Sequence, residues 1–136
     1  MANLASILLI ENDAALRAVL REGLLVAGHS VQDATNGRLG VNAFRKVPTD
    51  LVITDLYMHE RDGLEVIEVL RRTHPHVPIL AISGASGTMD YLSLAVTLGA
   101  SRILPKPFTV STLLEIVIDL LRGTAPQLSA SQLPQR

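Results

Sequence analysis

The sequence predicts one α/β domain in which a parallel sheet is covered by helices on both faces. Three observations carry that expectation. Short apolar runs alternate five times with segments of helical period. The runs are too short for helices and too uniformly apolar for strands with one face in water. The chain has 136 residues, 48% hydrophobic and 18% charged, which suits a single well-buried core.

The elements follow in order. Ile7-Leu8-Leu9-Ile10 is the first strand, and the helix after it places Leu16, Val19, Leu20, Gly23, Leu24 and Ala27 at i, i+3, i+4 spacing on an expected inner face. Asp13 is its N-cap and Gly28 its terminator. A brief strand spans Ser30 to Asp33, and Gly37 to Lys46 is a weaker second helix halted before Pro48. Leu51 to Thr54 is the third strand, and Gly63 to Thr73 the third helix, closed by His74-Pro75. Pro78 introduces the fourth strand, Ile79 to Ser83, after which Gly84 to Gly87 reads as a mobile loop. Thr88 to Leu98 is the fourth helix with Gly99 as its cap, Ser101 to Leu104 the fifth strand, and Thr109 to Arg122 the last helix. Residues 1–122 form the expected domain, and residues 123–136, rich in Pro, Gln and Ser, an expected disordered tail.

Composition narrows the function. Twelve Lys and Arg against 13 Asp and Glu leave a net charge of -1, so charge alone favours no polyanion and no direct nucleic-acid partner is expected. With 0 Cys there is neither a disulfide framework nor a thiolate metal site. The apolar start lacks a basic n-region and is broken by Glu11, and no run reaches the ~18 apolar residues of a membrane span. A cytoplasmic protein with no membrane partner is expected.

Right-handed crossovers gather the C-terminal ends of parallel strands, and ligands bind outside those ends where the strand order reverses. The residues there are Glu11, Asn12 and Asp13 after the first strand, Asp55 after the third, Ser83 and Gly84 after the fourth, and Lys106 after the fifth. Each has a bland alternative: Asp13 as a cap, Asp55 as a turn former, Ser83 as a satisfied hydroxyl, Lys106 as a solvated charge. Together, acids after two strands, a small hydroxyl and a lysine make a cation site, a pair of phosphoryl ligands and a nucleophile.

Leu9-Ile10-Glu11-Asn12-Asp13, Val52-Ile53-Thr54-Asp55-Leu56-Tyr57-Met58, Arg61-Asp62-Gly63, Ile82-Ser83-Gly84 and Pro105-Lys106-Pro107-Phe108 resemble the motifs of the receiver domain of two-component response regulators. The resemblance runs from Ile7 to about Arg122. It implies a three-layer, flavodoxin-like (βα)5 fold with strand order 2-1-3-4-5. It makes Asp55 the phosphoacceptor, Ser83 the switch hydroxyl and Lys106 the phosphate-pairing lysine, with Glu11 and Asn12 at the positions of the family's paired acids. Lys106-Pro107 is implied to be cis. The implied cofactor is Mg²⁺, bound by Glu11, Asn12, Asp55 and the backbone carbonyl of Tyr57. The implied donor is a histidine kinase or histidine phosphotransfer protein, and the implied recipient of the signal a downstream protein effector.

These roles are chemically reasonable. An aspartate supplies the attacking oxygen, Mg²⁺ takes an octahedral oxygen shell with retained waters, and a lysine ammonium neutralises phosphate charge. Three positions depart from the family pattern. Asn12 replaces a metal-ligating aspartate and removes one negative charge, which weakens cation binding. His59 stands where proline is common, and Ile103 where an aromatic usually follows the switch hydroxyl inward. A phosphorylation-independent binding module is therefore the alternative function. A flavodoxin-like nucleotide binder is remote, because Glu11 and Asp13 occupy the loop where such proteins place an anion cradle.

The last helix carries Val110, Leu113, Leu114, Ile116, Val117, Ile118, Leu120 and Leu121, more apolar circumference than one sheet covers. An exposed patch is expected there, serving partner binding or a homodimer through the fourth helix, fifth strand and fifth helix.

Overall fold

The computed structural model describes residues 4–57, 63–84 and 89–123. In chain order they form β1 (Ser6–Ile10), α1 (Ala14–Val26), β2 (Ser30–Ala34), α2 (Gly37–Lys46), β3 (Leu51–Asp55), α3 (Gly63–Thr73), β4 (Ile79–Ser83), α4 (Met89–Leu98), β5 (Arg102–Pro105) and α5 (Val110–Leu121). All strands are parallel, in the order β2-β1-β3-β4-β5. The three-layer, flavodoxin-like (βα)5 arrangement is the one anticipated. Every strand and helix end lies within a residue of the sequence reading, and Thr88 lies outside the described residues, as do Met58, His59, Arg61, Asp62, the loop residues 85–87 and the tail from 124 on.

Strand alternation builds two cores from one sheet. Leu8, Ile10, Val52, Ile79 and Ala81 face α2, α3 and α4, meeting Val41, Phe44, Val66, Ile67, Leu70 and Ala95. Their neighbours Ile7, Leu9, Leu51, Ile53, Leu80 and Ile82 face α1 and α5, meeting Leu20, Leu24, Leu113, Ile116, Val117 and Leu120. Because the central strands are buried on both faces, they read as unbroken apolar runs. The edge strands β2 and β5 are only partly covered.

Local chemistry sets the boundaries. The Asp13 carboxylate accepts from the amides of Ala15 and Leu16 at 3.0 and 3.1 Å, Asn36 caps α2 through the Leu39 amide at 2.8 Å, and Thr109 caps α5 through Thr112 at 3.0 Å. Gly28 and Gly99 end α1 and α4 at φ of 103° and 124°, where a side chain would be strained. The Lys106–Pro107 bond is cis.

Two expectations about helix faces need correction. Val19 and Ala27 point outward from α1, Val19 with 53% of its surface exposed, so the inner face is narrower than the spacing implied. On α5 the error is larger: Leu113, Ile116, Val117 and Leu120 are buried, while Val110, Leu114, Ile118 and Leu121 are half-buried. The helix lies against α1 as well as against the sheet. Gly23 makes that approach close, since a Cβ there would sit 2.6 Å from Val110 Cγ1. Two neighbours cover what one sheet could not, and the exposed apolar patch expected on α5 is absent.

Candidate functional site

The strand ends bring Glu11, Asp55, Ser83 and Lys106 together. Asp55, the last residue of β3, is only 4% exposed. Its Oδ2 lies 3.1 Å from Lys106 Nζ, and its Oδ1 accepts the Tyr57 amide at 3.0 Å. The Lys106 amide donates to the Ser83 carbonyl at 2.8 Å, so the residue following β5 is stitched to the end of β4. That stitch holds the lysine and the serine side by side. Ser83 is buried, and its hydroxyl has no hydrogen-bond partner among the described residues.

Glu11 is fully buried and held at most of its polar atoms. Its amide donates to the Ala34 carbonyl at 3.1 Å, its carbonyl accepts from Arg17 Nη1 at 2.8 Å, and its Oε2 accepts the Asp13 amide at 3.1 Å. Oε1 alone is without a partner among the described residues. Burial, with the nearby Asp55 carboxylate adding to it, pushes the Glu11 carboxyl up to about 7, against the opposing pull of the Asp13 amide and the Lys106 ammonium.

Asn12 and Asp13 are exposed at the rim, and Asp13 serves as the cap of α1, its bland alternative. Tyr57 is 41% exposed at the mouth, and its ring reaches toward Gly84, with Cδ2 3.9 Å from where a Cβ would stand. Among the described residues no group of three or more His, Cys, Asp or Glu side chains gathers.

Three contributors escaped the sequence reading. Arg17 reaches back across the first turn of α1 to the Glu11 carbonyl. The buried Thr54 hydroxyl donates to the Asp55 carbonyl at 3.1 Å. Gly63 starts α3 against the Asp55–Leu56 peptide, where a Cβ would lie 2.2 Å from the Asp55 carbonyl oxygen. Gly63 and Thr54 stood in recognised motifs, but their contacts are made in space; Arg17 carried no local signal at all.

A doubly covered parallel sheet of order 2-1-3-4-5, with an acid, a hydroxyl and a lysine meeting at its strand ends, defines the receiver class of signalling domain. A sequence model of the response regulator receiver domain matches residues 7–118, and the chain belongs to that family, which acts in two-component phosphorelay signalling. It is similar to the response regulator MprA of Mycolicibacterium vanbaalenii, 35% identical over 126 residues that make up 93% of this chain and 54% of that one. It is also similar to the response regulator protein FleR of Pseudomonas aeruginosa, 33% identical over 90% of this chain and 26% of FleR. The chain thus spans about half or less of the length of these relatives. Among solved structures it resembles the Vibrio cholerae chemotaxis protein CheY4, with a TM-score of 0.79 and 26% identity over 85% of this chain and 97% of that one. No helix of the described residues is long and apolar enough to cross a membrane.

Proposed function

We propose that Asp55 accepts a phosphoryl group from the phosphohistidine of a histidine kinase or histidine phosphotransfer protein, with Mg²⁺ as cofactor, and that a downstream protein effector reads the phosphorylated state. One observation carries this reading. The buried Asp55 carboxylate is gripped by the Lys106 ammonium and the Tyr57 amide, in a pocket that also holds two buried oxygens without partners among the described residues, Glu11 Oε1 and Ser83 Oγ. An unsatisfied buried polar atom costs about 1–3 kcal/mol, so two in one pocket are a standing cost unless a ligand engages them.

The donor set fits Mg²⁺. Glu11, Asp55, the amide oxygen of Asn12 and the Tyr57 carbonyl are all hard oxygen donors, and exposure of Asn12 and Tyr57 at the rim leaves the remaining positions of an octahedral shell to water. When bound, the cation neutralises charge on the transferring phosphoryl group. The remaining work falls to side chains. A carboxylate oxygen of Asp55 attacks phosphorus as the bond to the donor nitrogen breaks, giving an acyl phosphate. Lys106 pairs with a phosphoryl oxygen, and the Ser83 hydroxyl donates a hydrogen bond to another.

Mass spectrometry after incubation with acetyl phosphate and Mg²⁺ tests the reading. The wild type gains one phosphoryl group and Asp55→Asn gains none; a gain that survives the substitution overturns it. Self-association through α4, β5 and α5 would rest on Leu94 and Val96 of α4, which are 45% and 56% exposed, and no longer on the covered α5. Loss of a sedimenting dimer in Leu94→Glu is its test.

A further inference from the structure

Arg17 is not among the groups that would touch a phosphoryl group or a cation, yet it lies one turn behind Glu11. Its guanidinium donates to the Glu11 carbonyl at 2.8 Å, and its Nε lies 3.8 Å from the Asp33 carboxylate at the end of β2. Only 19% of its side-chain surface is exposed. The Glu11 peptide is consequently held from both sides, by Ala34 through its amide and by Arg17 through its carbonyl. The Asp13 amide fixes Oε2, which leaves Oε1, on a carboxyl close enough to Asp55 to feel its charge, without a partner among the described residues.

We propose that Arg17 is a positioning residue for the cation site, holding the Glu11 backbone so that the Glu11 carboxylate presents Oε1 to a divalent ion. This rests on the reading that the pocket binds Mg²⁺. Asn12 makes the bracing matter more. With a neutral, exposed amide at that position, Glu11 is the only carboxylate that the loop after β1 turns into the pocket, Asp13 being committed to its cap. A site with so few charges depends on the aim of each.

Simple electrostatics argues for the opposite effect, which makes the inference decidable. Arg17 is a cation close to a cation site, so removing its charge should tighten Mg²⁺ binding if charge were all that mattered. Removing a brace should loosen it.

The experiment is a calorimetric Mg²⁺ titration of the full chain as wild type, Arg17→Met and Glu11→Gln, with amide hydrogen exchange measured on the metal-free proteins. Arg17→Met keeps the aliphatic stem over α1 and removes the donors; Arg17→Gln replaces it if the methionine variant does not fold. The expected result is Mg²⁺ affinity about tenfold weaker, the lower end of what outer-contact residues of metal sites contribute. Without metal, the Asp13 amide should exchange faster in the Arg17 variant while the Leu9 amide in mid-β1 is unchanged. Unchanged or tighter Mg²⁺ binding, or an Asp13 amide as protected as in the wild type, overturns the role of Arg17. Glu11→Gln separates the two readings. If it weakens Mg²⁺ binding while Arg17→Met does not, only the role of Arg17 falls; if it has no effect, the cation site falls and the role of Arg17 with it.

Discussion

Gly63→Ala is the sharpest test of how Asp55 is held. A Cβ at this position would lie 2.2 Å from the Asp55 carbonyl oxygen, 2.6 Å from Leu56 Cα and 3.0 Å from the Asp55 carbonyl carbon. All three obstacles are backbone, and they belong to the peptide that carries Asp55. Ordinary contact begins near 3.4 Å, so α3 or the end of β3 must shift by about an ångström. Overpacking of that kind costs about 1–3 kcal/mol, from which the better helix propensity of alanine returns less than about 1 kcal/mol at a helix start. A net loss of about 2 kcal/mol lowers the Tm by about 8 °C for a domain of this size. Gly40→Ala is the internal comparison. There the obstacles are Ile10 Cδ1 at 2.4 Å and Cγ1 at 2.7 Å, side-chain atoms that can shift without displacing backbone, though a buried β-branched side chain gives less freely than a flexible tip, so the cost should be smaller than at Gly63. Thermal and urea unfolding followed by far-ultraviolet circular dichroism measures both. A Gly63→Ala variant no less stable than Gly40→Ala would refute the claim that backbone yields less readily than a side chain.

Three further outcomes follow from the same geometry. Asn12→Asp restores a negative charge: unit charges ~4 Å apart at an effective dielectric of ~20 interact by ~4 kcal/mol, which solvent at this exposed rim reduces to about 1 kcal/mol, so Mg²⁺ should bind about fivefold tighter in a low-salt titration. Equal or weaker binding contradicts the charge argument. Burial lowers the pKa of His29, whose Nδ1 accepts the Ala5 amide at 3.2 Å and must therefore be unprotonated. The unfolded chain then binds a proton that the folded state refuses, and His29 costs stability as pH falls below about 6.5, by at most about 1.4 kcal/mol per pH unit. Glu11, raised to about 7, acts with the opposite sign between about 4.5 and 7, so the test is the difference between wild type and His29→Gln at each pH. That variant should gain on the wild type under acid, and parallel pH curves would sink the assignment. Tyr57 at the pocket mouth should slow attack of water on an acyl phosphate at Asp55, so Tyr57→Ala should shorten the phosphoprotein lifetime; an unchanged lifetime removes the shielding role.

What the sequence could disclose of the fold was the part written in local pattern. Ile7 to Ile10, Leu51 to Ile53 and Ile79 to Ile82 are apolar at successive positions because both faces of those strands are covered, and that pattern alone specifies a sandwiched parallel sheet. Asp13, Gly28 and Gly99 marked helix ends because capping and positive φ are properties of one residue and its immediate neighbours. The α5 surface was misjudged for the complementary reason. Counting apolar positions around one helix says how much must be covered but not by how many neighbours, and the coverage from α1 depends on Gly23, 87 positions from Val110. Arg71 was equally invisible: from the end of α3 its guanidinium donates to the carbonyls of His74, Pro75, Val77 and Gly99, tying the approach to β4 to the end of α4. Arginines in a helix's last turn, as Arg71 and Arg72 are here, ordinarily read as solvated charge.

The same division runs through the site. Residue types at strand ends are legible, so Glu11, Asp55, Ser83 and Lys106 were recoverable, whereas their degree of satisfaction is set by contacts between elements. Those contacts are uneven. Glu11 is held through its amide, its carbonyl and Oε2, and Asp55 through both carboxylate oxygens, but the Ser83 hydroxyl has no partner among the described residues. A phosphoryl oxygen arriving at Asp55 would therefore find the greatest unmet demand at Ser83, and the least costly rearrangement is there rather than at the braced acids. Ser83 ends β4 and is bonded through its carbonyl to Lys106, so a shift at Ser83 is passed to β5 before any other strand. On β5, Ile103 faces the core shared with α2, α3 and α4 and is partly buried among them. A β-branched aliphatic there has few rotamers and no ring to swing inward. Under the proposed function, phosphorylation would then act through displacement of the packed backbone of β5 against α4 rather than through a swinging ring.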